Sequence, residues 1–232
     1  MGIPVLLIGQ SGSGKSCSMR NLDRKHTIVF NVAGKPLPFR GKFDMMVTIS
    51  DPDAIMDSLR RNTTNCYVID DSQYLMSFKL IDKINENGYG KYTEIAKDFK
   101  KLIDTIVNDT TPETIVYFLH HPEVTDTGFV KAKTTGKMID NWLTLEGLFS
   151  IVLMTYVSER KHEFITQSDG TNTCKSPIDM FPDRMENDLK LVDDAIRSYY
   201  ELDPVGFVNK PDSSKKPKAT VTTSAQVPGG GK

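Results

Sequence analysis

A glycine-rich segment near the amino terminus contains the residues best suited to chemistry. Residues 9–16 read GQSGSGKS and match the pattern G-x-x-x-x-G-K-[ST] through Gly9, Gly14, Lys15 and Ser16. In this pattern main-chain amides wrap a phosphate, the lysine neutralises the β- and γ-phosphates, and the hydroxyl ligates magnesium. The sequence therefore predicts a phosphate-binding loop for a nucleotide. The predicted nucleotide-contacting residues are Gly9, Gln10, Ser11, Gly12, Ser13, Gly14, Lys15, Ser16 and Cys17.

The segments on either side of this loop have the character that a phosphate loop requires. The apolar run IPVLLI precedes the loop and is typical of a buried strand. The following residues, KSCSMRNL, are expected to open a helix near Lys15, and the positive end of its dipole would face the same anion. This order of strand, loop and helix favours a phosphate loop over a chance glycine turn.

Two acids follow another apolar run, CYVIDDSQ. Magnesium bound to a nucleotide also needs a carboxylate, which usually lies at the tip of a neighbouring buried strand. Asp70 is the first acid after the apolar residues, so we expect it to hold the metal through water while Ser16 ligates it directly. Asp71 could orient or deprotonate the attacking water, or it could be only a turn former at the strand end.

Three other polar residues could complete this site. His120 and His121 end the run TIVYFLHH, where a polar side chain could sense the γ-phosphate or merely cap the strand. Arg160 lies in SERK, just after the last strong apolar run. A cation there could reach the active site of a neighbouring subunit, or it could belong to a solvated turn.

The segment TDTGFVKAKTTGKMIDNW, residues 125–142, combines lysines with glycines and aromatic rings. Lysines that meet phosphates and rings that stack on bases are typical of single-stranded DNA sites. The same alternation fits a solvent-exposed hairpin whose lysines share one outward face. The candidate DNA contacts are Lys131, Lys133 and Lys137, with Phe129 and Trp142 nearby.

The remaining apolar runs predict the fold. Short runs recur as TIVFNV, DMMVTI, CYVIDD, TIVYFLHH and FSIVLMTYV, and their continuous apolarity favours a parallel sheet covered on both faces. Between them, KYTEIAKDFKKLIDTIVND has apolar residues at helical spacing. We therefore expect an α/β fold with a mainly parallel central sheet flanked by helices.

Composition bounds the organisation of the chain. The 232 residues carry 29 basic and 30 acidic side chains, so any attraction to nucleic acid must come from a local patch. Residues 1–208 are expected to form one domain. Residues 209–232 contain five Lys and one Asp with almost nothing apolar, which predicts a disordered tail.

The cysteines and the lack of long apolar stretches bear on location. Cys17, Cys66 and Cys174 are odd in number and show no C-x-x-C spacing, which disfavours a disulfide framework and a zinc site. No stretch approaches the roughly 18 apolar residues of a membrane span. We expect a cytoplasmic protein that is neither secreted nor embedded in a membrane.

Two classes of phosphate-loop protein are disfavoured by residues that are missing. A small-molecule kinase usually closes an arginine-bearing lid, yet no Arg occurs between Arg61 and Arg160. A regulatory GTPase would read guanine through N-K-x-D, which residues 1–208 lack. We therefore expect ATP, and an ATPase whose nucleotide drives a conformational or assembly step.

Several segments together resemble the phage-encoded P-loop ATPases with a RecA-like core, a group that includes single-strand annealing and recombination proteins. The resemblance covers residues 3–202 and is carried by LLIGQSGSGKS, FNVAGKPLPF, YVIDDSQ, TTGKMIDNW and CKSPIDMFPDRMENDLKLVDDAIRSYYE. It implies a RecA-like fold, ATP with Mg²⁺, homo-oligomeric rings or filaments, and phage replication or recombination proteins as partners. By position, it gives Lys15 and Ser16 the phosphate-loop roles and Asp70 the magnesium role.

The chain departs from this group at one catalytic position. RecA-type recombinases place a catalytic glutamate after the second strand, whereas TIVFNVAGK has Asn31 there. Either Asp71 takes over, or hydrolysis is slow and the nucleotide mainly gates assembly. Two alternatives to a DNA-dependent ATPase therefore stay open: a nucleotide-gated, non-catalytic annealing module, and a helicase-loader or packaging-type ATPase that acts on a protein partner.

Overall fold

The computed structural model describes residues 1–140 and 143–208, except for the side chains of Lys137 and Met138. Ten strands occur in these residues: β1 (Ile3–Ile8), β2 (Thr27–Asn31), β3 (Met45–Thr48), β4 (Cys66–Asp70), β5 (Ile115–His120), β6 (Pro122–Val124), β7 (Val130–Ala132), β8 (Ile151–Ser158), β9 (Lys161–Ile165) and β10 (Arg184–Glu186). The α-helices are α1 (Pro52–Arg60), α2 (Gln73–Asp82), α3 (Gly90–Asp109), α4 (Lys137–Asp140) and α5 (Leu189–Tyr199). Two 3₁₀ helices cover Ser16–Asn21 and Leu145–Leu148.

Eight of these strands form the central sheet, in the order β10-β9-β8-β1-β5-β4-β2-β3. The strands from β3 to β8 in this order pair in parallel, whereas β9 and β10 add an antiparallel edge. The strands β6 and β7 form a separate antiparallel hairpin. The expected α/β fold with a mainly parallel sheet is therefore confirmed.

Helices bury both faces of this sheet, which explains why its strands are continuously apolar. Every residue of β2, β4 and β5 is buried. Successive side chains point to opposite faces, so each strand feeds two cores. One core packs against α1, α2 and α3 and includes Leu6, Ile8, Tyr67, Ile69 and Phe118. The other packs against α5 and the first 3₁₀ helix and includes Val5, Leu7, Val68, Tyr117 and Leu119.

The helix α3 forms where the sequence predicts it. Its apolar residues recur every three or four positions and lie buried on one face. These buried residues are Ile95, Phe99, Leu102, Ile103 and Ile106. Burial of this stripe anchors α3 on the sheet, and the charged residues between them stay at the surface.

The helix expected to begin near Lys15 is present, as a six-residue 3₁₀ helix that covers Ser16–Asn21. It ends at Leu22, which adopts an extended conformation. Serine competes with helical hydrogen bonding, and here the Ser18 hydroxyl donates to the carbonyl of Lys15 at 2.5 Å. Because so short a helix has little macrodipole, an anion at the loop would depend on main-chain amides and on Lys15.

A buried ion pair fixes α5 to the sheet. Arg197 Nε donates to Asp193 Oδ2 at 2.7 Å, and the Tyr117 hydroxyl donates to Asp193 Oδ1 at 2.8 Å. The guanidinium also donates to the carbonyls of Asn65 and Asp203, at 3.0 and 2.8 Å. A buried pair with these additional hydrogen bonds leaves no charge uncompensated.

We predict that Asp193→Ala lowers the free energy of unfolding by about 3–5 kcal/mol, because it leaves Arg197 buried without its counter-charge. Asp194→Ala is the matched control on the same helix, since Asp194 pairs with Lys190 at the surface. That control should cost less than about 1 kcal/mol. Urea denaturation followed by circular dichroism measures both, and equal losses would contradict the assignment.

Candidate functional site

The glycine-rich segment of residues 9–16, called the phosphate loop after its predicted role, leaves the carboxyl end of β1 at a change in the winding of the sheet. After β1 the chain continues to β2 on one side of the sheet, and β8 pairs with β1 on the other side. In open α/β sheets such a point forms a crevice in which ligands bind. A cleft of about 380 Å³ opens here, a volume within the range of small-molecule sites.

Residues from five parts of the chain line this cleft. Seven of the nine predicted nucleotide-contacting residues belong to it: Gln10, Ser11, Gly12, Gly14, Lys15, Ser16 and Cys17. The others with polar side chains are Lys35, Asp70, Asp71, His121 and His162. Folding therefore brings the loop together with both predicted acids.

Gly9 and Ser13 hold the loop in shape rather than line the cleft. A Cβ on Gly9 would lie 2.1 Å from Thr155 Oγ1, so no side chain fits there. Ser13 Oγ lies 2.6 Å from Thr155 Oγ1 and donates to the carbonyl of Gln10 at 2.7 Å. Gly14 has a φ of +100°, which favours glycine over any other residue.

Ser16 and Asp70 meet directly in the cleft. The Ser16 hydroxyl donates to Asp70 Oδ1 at 2.9 Å, although 54 positions separate the two residues. Both offer the hard oxygen atoms that magnesium prefers, and magnesium commonly takes only one or two protein ligands beside phosphate and water. The oxygen atoms of Ser16 and Asp70 therefore fit the expected magnesium site as metal ligands.

Lys15 is buried beside these acids, with 5% of its surface exposed. Burial lowers the pKa of Lys15, and the negative charges of Asp71 and Asp70 oppose that change. A buried ammonium is costly unless an anion lies close to it. An anionic ligand in the cleft would stabilise the charged form of Lys15.

The two acids differ in their ionisation. Burial and the neighbouring charge of Asp71 raise the pKa of Asp70 to about 6, despite the hydrogen bond from Ser16. For Asp71, burial acts in the same direction, but hydrogen bonds from His121 and Lys35 outweigh it and lower the pKa to about 2. Asp71 is therefore a weak proton acceptor at neutral pH.

Lys35 is a site residue that the sequence reasoning missed. Its Nζ donates to Asp71 Oδ2 at 2.7 Å, and 58% of the side chain is exposed. Asn31 positions it, because the Asn31 amide donates to the carbonyl of Lys35 at 2.7 Å and accepts from the Lys35 amide at 3.2 Å. The signal was present in AGKPLPF, which follows a strand that ends at the same edge of the sheet as β1.

The paired histidines have separate surroundings. His121 Nε2 lies 3.1 Å from Asp71 Oδ1 and belongs to the cleft. His120 is fully buried, with Nδ1 2.9 Å from the Ser72 hydroxyl and Nε2 2.7 Å from the carbonyl of Lys133. Burial lowers the pKa of His120 to about 4, so this ring is neutral at pH 7 and its Nε2–H donates to Lys133.

Arg160 lies at the tip of the hairpin that joins β8 and β9. Glu159 and Arg160 have φ values of 50° and 65°, which is the geometry of a two-residue turn between twisted strands. Arg160 is exposed and does not line the cleft of its own chain. Its predicted contact with a neighbouring subunit stays a prediction.

The three candidate DNA lysines differ in the charge that they present. Lys131 Nζ lies 2.7 Å from Asp140 Oδ2, so an acid neutralises much of its charge. Lys133 is exposed at the end of the β6–β7 hairpin. Lys137 begins α4, and its side chain lies outside the described residues, as do Trp142 and the tail.

Comparison with protein-family models and with curated proteins found no match to this chain. In the described part of the chain, no helix is long and apolar enough to cross a bilayer. The chain contains N-K-x-D once, as Asn209–Asp212, beyond the last residue that the structure describes. The lack of N-K-x-D in residues 1–208 therefore supports ATP over GTP less than a lack of that pattern from the whole chain would.

We predict that Asp70→Asn stabilises the protein in the absence of metal and nucleotide. A pKa of about 6, against 3.8 in the unfolded chain, means that the folded state binds the proton more tightly. Stability is therefore lost as the pH rises from about 4 through about 6, and the amide removes this loss. The expected gain at pH 7.5 is at most about 3 kcal/mol, and it should vanish near pH 4.

Thermal unfolding in EDTA at both pH values tests this expectation. Asp126→Asn is the control, because Asp126 is an exposed carboxyl in the turn between β6 and β7. A melting temperature of Asp70→Asn that is unchanged at pH 7.5 would show that the Asp70 carboxylate is not disfavoured by burial.

Proposed function

We propose that the protein binds ATP with Mg²⁺ in this cleft and hydrolyses it slowly. In this proposal the nucleotide state controls a homo-oligomer that acts on single-stranded DNA in phage recombination or replication. The observation that carries the proposal is the contact between Ser16 and Asp70 beside the buried Lys15. A phosphate loop whose hydroxyl contacts a strand-end acid provides the minimum set of protein groups that binds a nucleotide together with magnesium.

Each group in the cleft has a distinct task in the proposal. The main-chain amides of the loop and the Lys15 ammonium bind the phosphates. Ser16 and Asp70 hold Mg²⁺, which when bound would neutralise charge on the phosphate oxygens. Lys35, which contacts Asp71, places a second ammonium in the cleft. In the proposal this ammonium neutralises charge on the terminal phosphate.

Slow hydrolysis follows from the surroundings of Asp71. A carboxylate with a pKa near 2 removes a proton from water poorly, because a general base works best when its pKa lies near the working pH. Both of its oxygens already accept from Lys35 and His121. We infer that Asp71 positions Lys35 and His121 and that the nucleotide acts chiefly as a switch.

The sheet order supports a RecA-like core as part of this proposal. The strand β5 lies between β1, which leads to the phosphate loop, and β4, which ends at Asp70. His121, which directly follows β5, therefore lies between the loop and the acids, where it could respond to a terminal phosphate. Cys17, Cys66 and Cys174 are free thiols, which fits action in the reducing cytoplasm of a host cell.

The β6–β7 hairpin connects the proposed DNA surface to the cleft. The main-chain amide of Lys133 donates to the carbonyl of His121 at 2.9 Å, and His120 contacts the carbonyl of Lys133. A bound DNA strand that moved this hairpin would therefore also move His121, whose ring contacts Asp71. This connection supports a coupling of DNA binding to the nucleotide site, with Arg160 as the candidate contact between subunits.

We predict that Lys15→Ala lowers ATP turnover by about 100-fold or more, since it removes the buried cation that faces the phosphates. Phosphate release is measured with ATP and with GTP, each with and without Mg²⁺ and an oligonucleotide. Lys25→Ala, an exposed lysine just before β2, is the control and should keep full turnover. Unchanged turnover in Lys15→Ala would place the active site elsewhere.

We also predict that Lys133→Ala weakens single-stranded DNA binding more than Lys131→Ala does, because Asp140 already pairs with Lys131. The combined variant of Lys131, Lys133 and Lys137 should flatten the salt dependence by about 0.7 per lost phosphate contact. Fluorescence anisotropy over a salt series measures both effects. Lys97→Ala, on the exposed face of α3, is the control. Unaltered affinity and slope would mean that the hairpin is only a solvated surface.

A further inference from the structure

A second, smaller cleft lies on the other side of the phosphate loop from Asp70. It has a volume of about 190 Å³ and is formed by the first 3₁₀ helix together with β9 and the end of β10. Gly14, Cys17 and His162 line both clefts, so the two are continuous around the loop. In the sheet order, Asp70 lies on the β4 side of β1, and this second cleft lies on the β9–β10 side.

Asn187 places an unpaired amide in this cleft. The residue is 3% exposed, and among the described residues its Nδ2 has no hydrogen-bond partner. A Cβ built on Gly14 would lie 3.1 Å from that nitrogen, so the amide abuts the phosphate loop. A buried amide without a partner costs about 1–3 kcal/mol, which a ligand in the cleft would recover.

The backbone rather than the side chain fixes the position of Asn187. Its main-chain amide donates to the carbonyl of His162 at 3.3 Å, and its carbonyl accepts from Arg20 at 2.5 Å. Arg20 also pairs with Glu186 at 3.3 Å, so its guanidinium is already occupied. The Asn187 backbone is thus held in place, while its side-chain Nδ2 has no partner among the described residues and is left for a ligand.

His162 forms the wall between the two clefts. Its Nδ1 lies 3.0 Å from the carbonyl of Ser13, which can only accept, so Nδ1 carries the hydrogen. This bond ties the ring to the phosphate loop. A nucleotide whose phosphates lie in the loop would therefore pass the imidazole before its base reached Asn187.

We infer that the second cleft takes the adenine base of the nucleotide and that the Asn187 amide reads its edge. This inference rests on the proposed nucleotide site. An asparagine amide offers one donor and one acceptor, which match the N7 acceptor and the N6 amino donor of adenine. Guanine presents acceptors at both N7 and O6, so the amide oxygen would have no partner. The cleft is also below the usual size of a whole-ligand site, which suits a base.

Asn187→Leu tests the inference, because leucine has a similar volume but no hydrogen bonds. Dissociation constants for ATP, GTP and inorganic tripolyphosphate are measured by calorimetry with the full chain. We expect the preference for ATP over GTP to fall about tenfold while tripolyphosphate affinity is unchanged. The melting temperature without nucleotide should be unchanged or higher, since the amide has no partner to lose. Asn187→Ala provides a second variant, and Asn85→Ala, exposed after α2, is the control.

The outcomes separate this inference from the proposed function. An unchanged ATP:GTP ratio in Asn187→Leu would overturn the role of the amide. An equal loss for ATP and tripolyphosphate would place the amide on the phosphates and also overturn it. If the wild-type protein binds tripolyphosphate but does not prefer ATP to GTP, the proposed adenine site is overturned and the proposed phosphate loop is retained. Binding of none of the three would remove both.

Discussion

Three charges buried at the carboxyl edge of the sheet constrain the rest of the site. Lys15, Asp70 and Asp71 are each less than one tenth exposed, and buried charges persist only when they compensate one another. The compensation is incomplete for Asp70, whose pKa is raised by burial and by its neighbour. A magnesium phosphate would change this balance, because its cation would join Asp70 and its anion would join Lys15. The incompletely compensated Asp70 carboxylate therefore suits a bound metal cation, and the buried Lys15 ammonium suits the phosphates.

The backbone accepts unfavourable local geometry to hold these charges together. Gly9 leaves room for Thr155, Gly14 adopts a positive φ, and Asp71 has a φ of 58°. A non-glycine residue in this region costs free energy, although aspartate tolerates it better than most residues. The positive φ of Asp71 turns the chain just after β4. Asp71 can therefore contact Lys35 and His121 although it directly follows Asp70 in the sequence. This unfavourable backbone conformation places two adjacent acids in different electrostatic surroundings.

The cleft is asymmetric about the phosphate loop, and this asymmetry gives the proposed nucleotide a direction. On one side lie the acids and Lys35, which suit a terminal phosphate and its metal. On the other side lie His162 and the unpaired Asn187 amide, which suit an uncharged heterocycle. Slow chemistry is consistent with this arrangement, because the side that faces the terminal phosphate positions cations but has no strong base.

The sequence by itself determined six strands of the central sheet, β1 to β5 and β8, the helix α3, and the glycine-rich loop and strand-end acid that meet in the cleft. Such features depend on local patterns, namely continuous apolar runs, helical spacing and a loop whose glycines and lysine occupy fixed positions. It placed a helix after the loop but did not specify its short 3₁₀ form, because the competition of serine hydroxyls with helical hydrogen bonds is not visible in apolar spacing. Only the tertiary structure brought Lys35, His162 and Asn187 to the cleft and made Asp71 a weak base. Sheet order and burial decide which distant residues meet and how their pKa values shift, and neither is written in any short stretch of the chain.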